Sequence, residues 1–78
     1  MENRAKIIAI LQAVTKNQNV PADPEESLFD SGFLDSFALP DMVGALEKEF
    51  QIRIPDSDLN PRKFDSIARI ESYVESRL

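Results

Sequence analysis

The ten residues LFDSGFLDSF, at positions 28–37, lead directly into an amphipathic segment, and the two together decide the fold. Apolar side chains recur after them at the three- and four-residue spacing of a helix, at Leu39, Met42, Val43, Leu46 and Phe50. A serine hydroxyl can accept a backbone N–H in the first turn of a helix. We therefore predict a second helix from about Ser36 to Gln51, with Ser36 as its N-cap. Pro40 disfavours helical angles at the preceding residue, so either the first turn is distorted or the regular helix begins nearer Pro40.

The sequence on either side of this segment is also helical. Upstream, an apolar stripe predicts a first helix over about Glu2 to Thr15, at Ile7, Ile8, Leu11 and Val14. Residues 17–35 then form a long loop, which we expect Leu28, Phe29 and Leu34 to pin to the core. Downstream, Asn60 and Pro61 predict the N-cap and first residue of a short helical turn reaching Phe64.

Asp65 or Ser66 is expected to cap a last helix, whose apolar face carries Ile67, Ile70, Tyr73 and Val74. The helices are too short to be stable alone, so they must pack as a bundle. The prediction is an all-α, four-helix bundle of three main helices and one short helix, with residues 1–78 forming one domain.

Composition argues against catalysis and against membrane insertion. The 78 residues include no cysteine and no histidine, so disulfides, thiolate nucleophiles and the usual general base are absent. No apolar run approaches the roughly 20 residues that span a bilayer, and the N-terminus turns polar again at Gln12. We expect a cytoplasmic, monomeric protein that is not an enzyme.

Charge is uneven along the chain, whose formal net charge is -5. Residues 17–59 hold ten acidic side chains against two basic ones, whereas the two ends are weakly basic. Such an acidic block repels nucleic acids and anionic membranes, and it attracts basic protein surfaces. Ordinary solvation of the surface explains the charges equally well.

The dipeptide Asp-Ser occurs four times, at Ser31, Ser36, Ser57 and Ser66. A turn or helix cap explains each one. Ser36 differs because it follows the long loop inside the acidic block, where a modifying enzyme could reach it. The run DSDLN at residues 56–60 begins like a calcium loop, but Pro61 stands where a glycine is required and Ile67 where a glutamate is required. We therefore predict no metal site.

The run LFDSGFLDSF resembles the signature of the acyl carrier protein family, in which such a loop leads to Asp-Ser at the head of the second helix. Three later segments resemble the family in order, ALEKEF at 45–50, IRIPDSDL at 52–59 and FDSI at 64–67, followed by Tyr73-Val74. Together they cover about residues 28–75. The resemblance implies a carrier that holds acyl intermediates as thioesters on a covalent 4′-phosphopantetheine arm and presents them to enzymes of fatty acid, polyketide or related biosynthesis.

Carried over by position, the resemblance implies that Ser36 accepts the arm from coenzyme A through a phosphopantetheinyl transferase. It also implies that Asp35, Asp41 and Glu47 meet basic surfaces of that transferase, of a loading ligase or acyltransferase, and of downstream synthase enzymes. Phe37, Pro40 and Gly44 belong to the same recognition surface but depart from the family's usual residues, which favours partners outside housekeeping fatty-acid synthesis. An aminoacyl or peptidyl carrier, and a helical interaction module that is never modified, remain open alternatives.

Overall fold

The computed structural model describes residues 2–78, and every regular element within that range is helical. Three α-helices are present: α1 (Glu2–Thr15), α2 (Leu39–Phe50) and α3 (Ile67–Arg77). Two 3₁₀ turns, Asp56–Asp58 and Pro61–Phe64, connect α2 to α3. The all-α prediction is confirmed, with the predicted short helix present as the second 3₁₀ turn. Across the described range, no helix has the length and apolarity needed to cross a membrane.

The core lies where α1 packs against both α2 and α3. All five predicted core residues of α2 are buried, and α1 contributes Ile7 and Leu11. Ile8 and Val14 are only partly buried, on the flank of the same face. Removing each large apolar side chain from water stabilises the fold by about 1.5–3 kcal/mol, so packing holds together helices that are too short to persist alone.

The observed α2 begins at Leu39, three residues after Ser36 and next to Pro40, so the alternative that the regular helix begins nearer Pro40 is confirmed. Pro40 thereby falls in the first turn, where its missing N–H breaks no intrahelical hydrogen bond. At its other end α2 stops at Phe50 because Gln51 adopts a left-handed conformation, with φ of 54°.

Two predicted caps are confirmed near α3. The side chain of Asn60 accepts the backbone N–H of Arg62, and that of Ser66 accepts the backbone N–H of Arg69 at 3.1 Å. Ser66 rather than Asp65 is therefore the N-cap of α3. The carboxylate of Asp65 faces the long loop instead.

Candidate functional site

Ser36 lies in a turn of residues 36–38, between the end of the long loop and the start of α2. Its side chain is exposed, and among residues 2–78 no hydrogen bond to its hydroxyl is formed. The chain is buried in the core on both sides of this turn, because Leu34 is 2% exposed and Leu39 is 6% exposed. The turn thus displays a free hydroxyl between two buried anchors.

The prediction that Ser36 caps the second helix is wrong. Asp35 supplies the oxygen instead, since its Oδ1 accepts the backbone N–H of Ala38 at 2.9 Å. The carbonyl of Asp35 accepts the same N–H at 3.1 Å. The N-cap of α2 itself is Ala38, which has no side-chain oxygen to offer. Because the carboxylate of Asp35 closes this turn, no hydrogen bond from the Ser36 hydroxyl is needed to hold it.

The long loop before the site is anchored as predicted by Leu28 and Leu34, while Phe29 is only partly buried. The N–H of Leu34 donates to the carbonyl of Leu28 at 2.9 Å, which closes the intervening residues into a turn. Gly32 makes that turn possible because its φ is 81°, a backbone conformation that residues with a Cβ rarely adopt.

The other three Asp-Ser serines occupy different settings. Ser66 is 3% exposed and caps α3. The Ser31 hydroxyl donates to the carbonyl of Leu28 at 3.2 Å. Ser57 is exposed in the first 3₁₀ turn. Ser31 is exposed as well, so Ser36 and Ser57 are the two exposed serines of this set whose hydroxyls form no hydrogen bond within the described residues.

The residues predicted for partner recognition are exposed, with one exception. Phe37 is 90% exposed, and Pro40, Asp41 and Gly44 are exposed on the first two turns of α2. Glu47 is half-buried, and its Oε2 accepts the backbone N–H of Ile54 at 2.8 Å. Glu47 therefore fixes the chain after α2, a role that the sequence did not indicate.

Asp58, within the calcium-like run of residues 56–60, forms a cluster of hydrogen bonds and ion pairs with side chains of the same chain. The carboxylate of Asp58 accepts hydrogen bonds from Lys63 Nζ at 2.7 Å, from the Tyr73 hydroxyl at 2.6 Å and from Arg77 at 2.7 Å. The hydrogen bond from Lys63, followed by that from Tyr73, lowers the pKa of Asp58 to about 2. Within the described chain, no group of three or more acidic side chains is arranged to hold a metal ion.

A family comparison bears directly on this geometry. The family described as "Phosphopantetheine attachment site" matches residues 5–74. This chain belongs to that family. Its cofactor is therefore 4′-phosphopantetheine, attached covalently, and the free exposed hydroxyl at Ser36 fits such an attachment.

Curated relatives of this carrier chain match it over nearly its whole length. The D-alanyl carrier protein of Lactobacillus acidophilus is 30% identical over 76 residues, covering 97% of this chain and 95% of the relative. That of Streptococcus sanguinis is 31% identical over 78 residues, covering 99% and 98%. Aminoacyl carrier protein 1 of Bradyrhizobium diazoefficiens is 30% identical over 77 residues, covering 96% and 84%.

Proposed function

We propose that this chain is an aminoacyl carrier protein, which holds a small amino acid as a thioester on a 4′-phosphopantetheine arm at Ser36. The observation that carries the proposal is that relatives named D-alanyl or aminoacyl carrier proteins match almost the entire chain. None of the three relatives described above is named a carrier of fatty acyl or polyketide cargo, which the sequence resemblance also allowed. Residues 1–78 act together as one carrier domain in this proposal.

Three features support Ser36 as the attachment point. Its hydroxyl is exposed, it serves no cap, and it lies beside an exposed aromatic ring at Phe37. Ser57 shares the exposure but lies next to the Asp58 ion cluster and outside the loop that resembles the family signature. In the attachment step the Ser36 oxygen forms a bond to the phosphorus that bears the pantetheine, and the pyrophosphate bond of coenzyme A breaks. The nucleotide bisphosphate leaves, and the hydroxyl proton of Ser36 passes to a base of the transferase or to solvent. The arm supplies the only thiol, because the chain has no cysteine.

The role of the chain's own residues is to present the arm, and we propose that it performs no catalysis. Asp35 and Asp41 place negative charge beside Ser36, which speeds encounter with basic surfaces of a phosphopantetheinyl transferase and a loading ligase. Phe37 provides an exposed apolar contact at the same point. Rapid release of each partner follows from an interface built on a few exposed residues rather than on a deep pocket.

Core packing supports a small cargo held outside the bundle. Met42, Leu46, Ile70 and Val74, from α2 and α3, are 0% exposed. Two surface cavities, of about 460 and 240 Å³, are lined by residues of the loops, of the second 3₁₀ turn and of α3, and neither lining includes a residue of α2. A short polar aminoacyl group has no need of an apolar interior.

The proposal is tested in two stages on the purified full chain. Incubation with coenzyme A and a broad-specificity phosphopantetheinyl transferase is expected to add one arm, detected by intact mass. Ser36→Ala is expected to abolish the adduct, while the matched exposed serine variant Ser57→Ala retains it. An unmodified wild type, or an adduct that survives Ser36→Ala, contradicts the attachment site.

The second stage separates the cargo classes. The holo-protein is offered D-alanine and other amino acids with ATP and adenylating ligases, and in parallel malonyl and medium-chain acyl groups with acyltransferases. We expect a thioester mass only with an amino acid, and the adduct is expected to be released by hydroxylamine. Efficient loading of acyl groups without loading of any amino acid refutes the aminoacyl proposal. If the wild type accepts no arm but still binds its partners, the result favours the alternative of a helical interaction module that is never modified.

A further inference from the structure

Asp65, which lies just before α3, makes several hydrogen bonds to the long loop that precedes Ser36. The Asp65 Oδ1 accepts the Ser27 hydroxyl at 2.7 Å and the Phe29 backbone N–H at 3.3 Å. The backbone carbonyl of Asp65 accepts the N–H of Leu28 at 2.6 Å. Three consecutive residues of the loop are thus held by one residue that lies 38 positions after Ser27.

The hydrogen bonds made by Asp65 are linked through the loop to the turn of residues 36–38 that contains Ser36. Besides contacting Asp65, Leu28 accepts the N–H of Leu34 on its carbonyl at 2.9 Å. Both leucine side chains are buried, with exposures of 1% and 2%. Asp35 follows Leu34 directly and holds the N–H of Ala38. A continuous series of hydrogen bonds and buried anchors therefore runs from Asp65 to Asp35 and Ala38, which lie on either side of Ser36.

A second contact fixes the loop along the same edge of α3. The backbone N–H of Ala68 donates to the carbonyl of Pro24 at 2.9 Å, and the Ser27 hydroxyl accepts the N–H of Asp30 at 3.0 Å. Ser27 is therefore both a donor to Asp65 and an acceptor inside the loop. Without the carboxylate of Asp65, the Ser27 hydroxyl and the Phe29 N–H both lose the oxygen to which they donate, and the Ser27 hydroxyl keeps only the N–H of Asp30 as a partner within the loop.

From this geometry we infer that Asp65 is a positioning residue for the transfer of 4′-phosphopantetheine to Ser36. The inference rests on the proposed attachment at Ser36. Asp65 touches neither Ser36 nor the arm, and it acts by holding the loop in the orientation that a phosphopantetheinyl transferase recognises. If the loop samples other orientations, only a fraction of the molecules bind productively, and the apparent affinity falls by that fraction. The bound complex is unchanged, so KM rises while kcat is retained.

The test measures initial rates of arm transfer by intact mass, with the full chain as the varied substrate at fixed coenzyme A. Circular dichroism first establishes a temperature at which every variant is folded. Asp65→Ala is expected to raise KM roughly tenfold, the factor that corresponds to one hydrogen bond to a charged group, with kcat close to wild type. Asp65→Asn keeps an acceptor oxygen and is expected to restore most of the loss. Ser27→Ala gives a smaller rise that does not add to that of Asp65→Ala.

Asp58→Asn is the matched control, because it loosens the other end of α3 without touching the loop. Wild-type KM in Asp65→Ala, or an equal rise in Asp58→Asn, overturns the inference. Ser36→Ala separates the two proposals. A wild type that gains no adduct, or an adduct that persists in Ser36→Ala, defeats the proposed attachment at Ser36. An adduct that needs Ser36 but is insensitive to Asp65 defeats only the positioning role.

Discussion

The two glycines of this chain predict opposite responses to the same substitution. Gly44 lies in the interior of α2, is exposed, and has nothing within 4 Å of the position where a Cβ would stand. Replacing it with alanine removes conformational freedom from the unfolded chain and introduces no clash. We therefore expect Gly44→Ala to stabilise the fold by about 0.5–1 kcal/mol.

Gly32 is the control, because it is also exposed and its Cβ position is equally open. Its φ of 81° nevertheless places alanine in a left-handed conformation, which costs about 1–2 kcal/mol for a residue with a Cβ. Gly32 and Gly44 therefore have the same free space around an added Cβ, and they differ in the backbone angle φ. We expect Gly32→Ala to destabilise the fold by about 1 kcal/mol.

Thermal and urea denaturation followed by circular dichroism measure both effects. For a domain of this size, about 1 kcal/mol moves Tm by roughly 4–8 °C. Gly44→Ala is therefore expected to raise Tm by about 4 °C, and Gly32→Ala to lower it by a similar or larger amount, with the urea m value unchanged in both. A fall in Tm for Gly44→Ala, or shifts of the same sign in the two variants, refutes the reasoning.

Three further predictions concern single side chains. Asp58 has a folded pKa of about 2, below its usual 3.8, so the stability that its charge contributes is present above about pH 4 and is lost as pH falls towards 2. Urea midpoints measured from about pH 5 to pH 2 are expected to fall less steeply for Asp58→Asn than for wild type. Ser66→Ala removes the buried N-cap of α3 and is expected to cost about 1 kcal/mol in urea denaturation, whereas a wild-type midpoint would contradict the capping role. Phe37→Ala is expected to leave Tm unchanged, because the ring is 90% exposed, and to slow loading of the holo-protein by a ligase several-fold. A destabilised Phe37 variant, or one loaded at the wild-type rate, would show that the ring is not a partner contact.

The core was predictable because helical periodicity marks it directly. Every inward position predicted for α2 is buried, and the ends of α1 coincide with the predicted range. The predicted caps Asn60 and Ser66 also hold, since each oxygen acts on a backbone N–H two or three residues away. Interactions over such short distances along the chain can be recognised from local residue types alone.

The start of α2 was predicted only in part. Asp35 and Ser36 both carry oxygens that can accept a backbone N–H, and we assigned the cap to Ser36. The helix instead begins at Leu39, beside Pro40, with Ala38 as its N-cap, and the carboxylate of Asp35 accepts the N–H of Ala38. Likewise, left-handed Gln51 and Lys16 follow α2 and α1 without any glycine to mark them.

The contacts that tie the loops to α3 have no signal in the sequence. Ser27 and Asp65 are 38 residues apart, and Asp58 reaches Tyr73 and Arg77 over 15 and 19 residues. Acidic, hydroxyl and basic side chains are common on any surface, so their types do not reveal which pairs meet. The same holds for Glu47, whose bond to Ile54 spans the turn after α2.

The turn before α2 is closed by Asp35 and not by Ser36. Attachment of the arm to the Ser36 hydroxyl, as proposed, therefore removes no hydrogen bond from the described chain. We expect the unmodified and modified proteins to be equally stable, so that a newly made copy resists proteolysis as well as one that carries the arm.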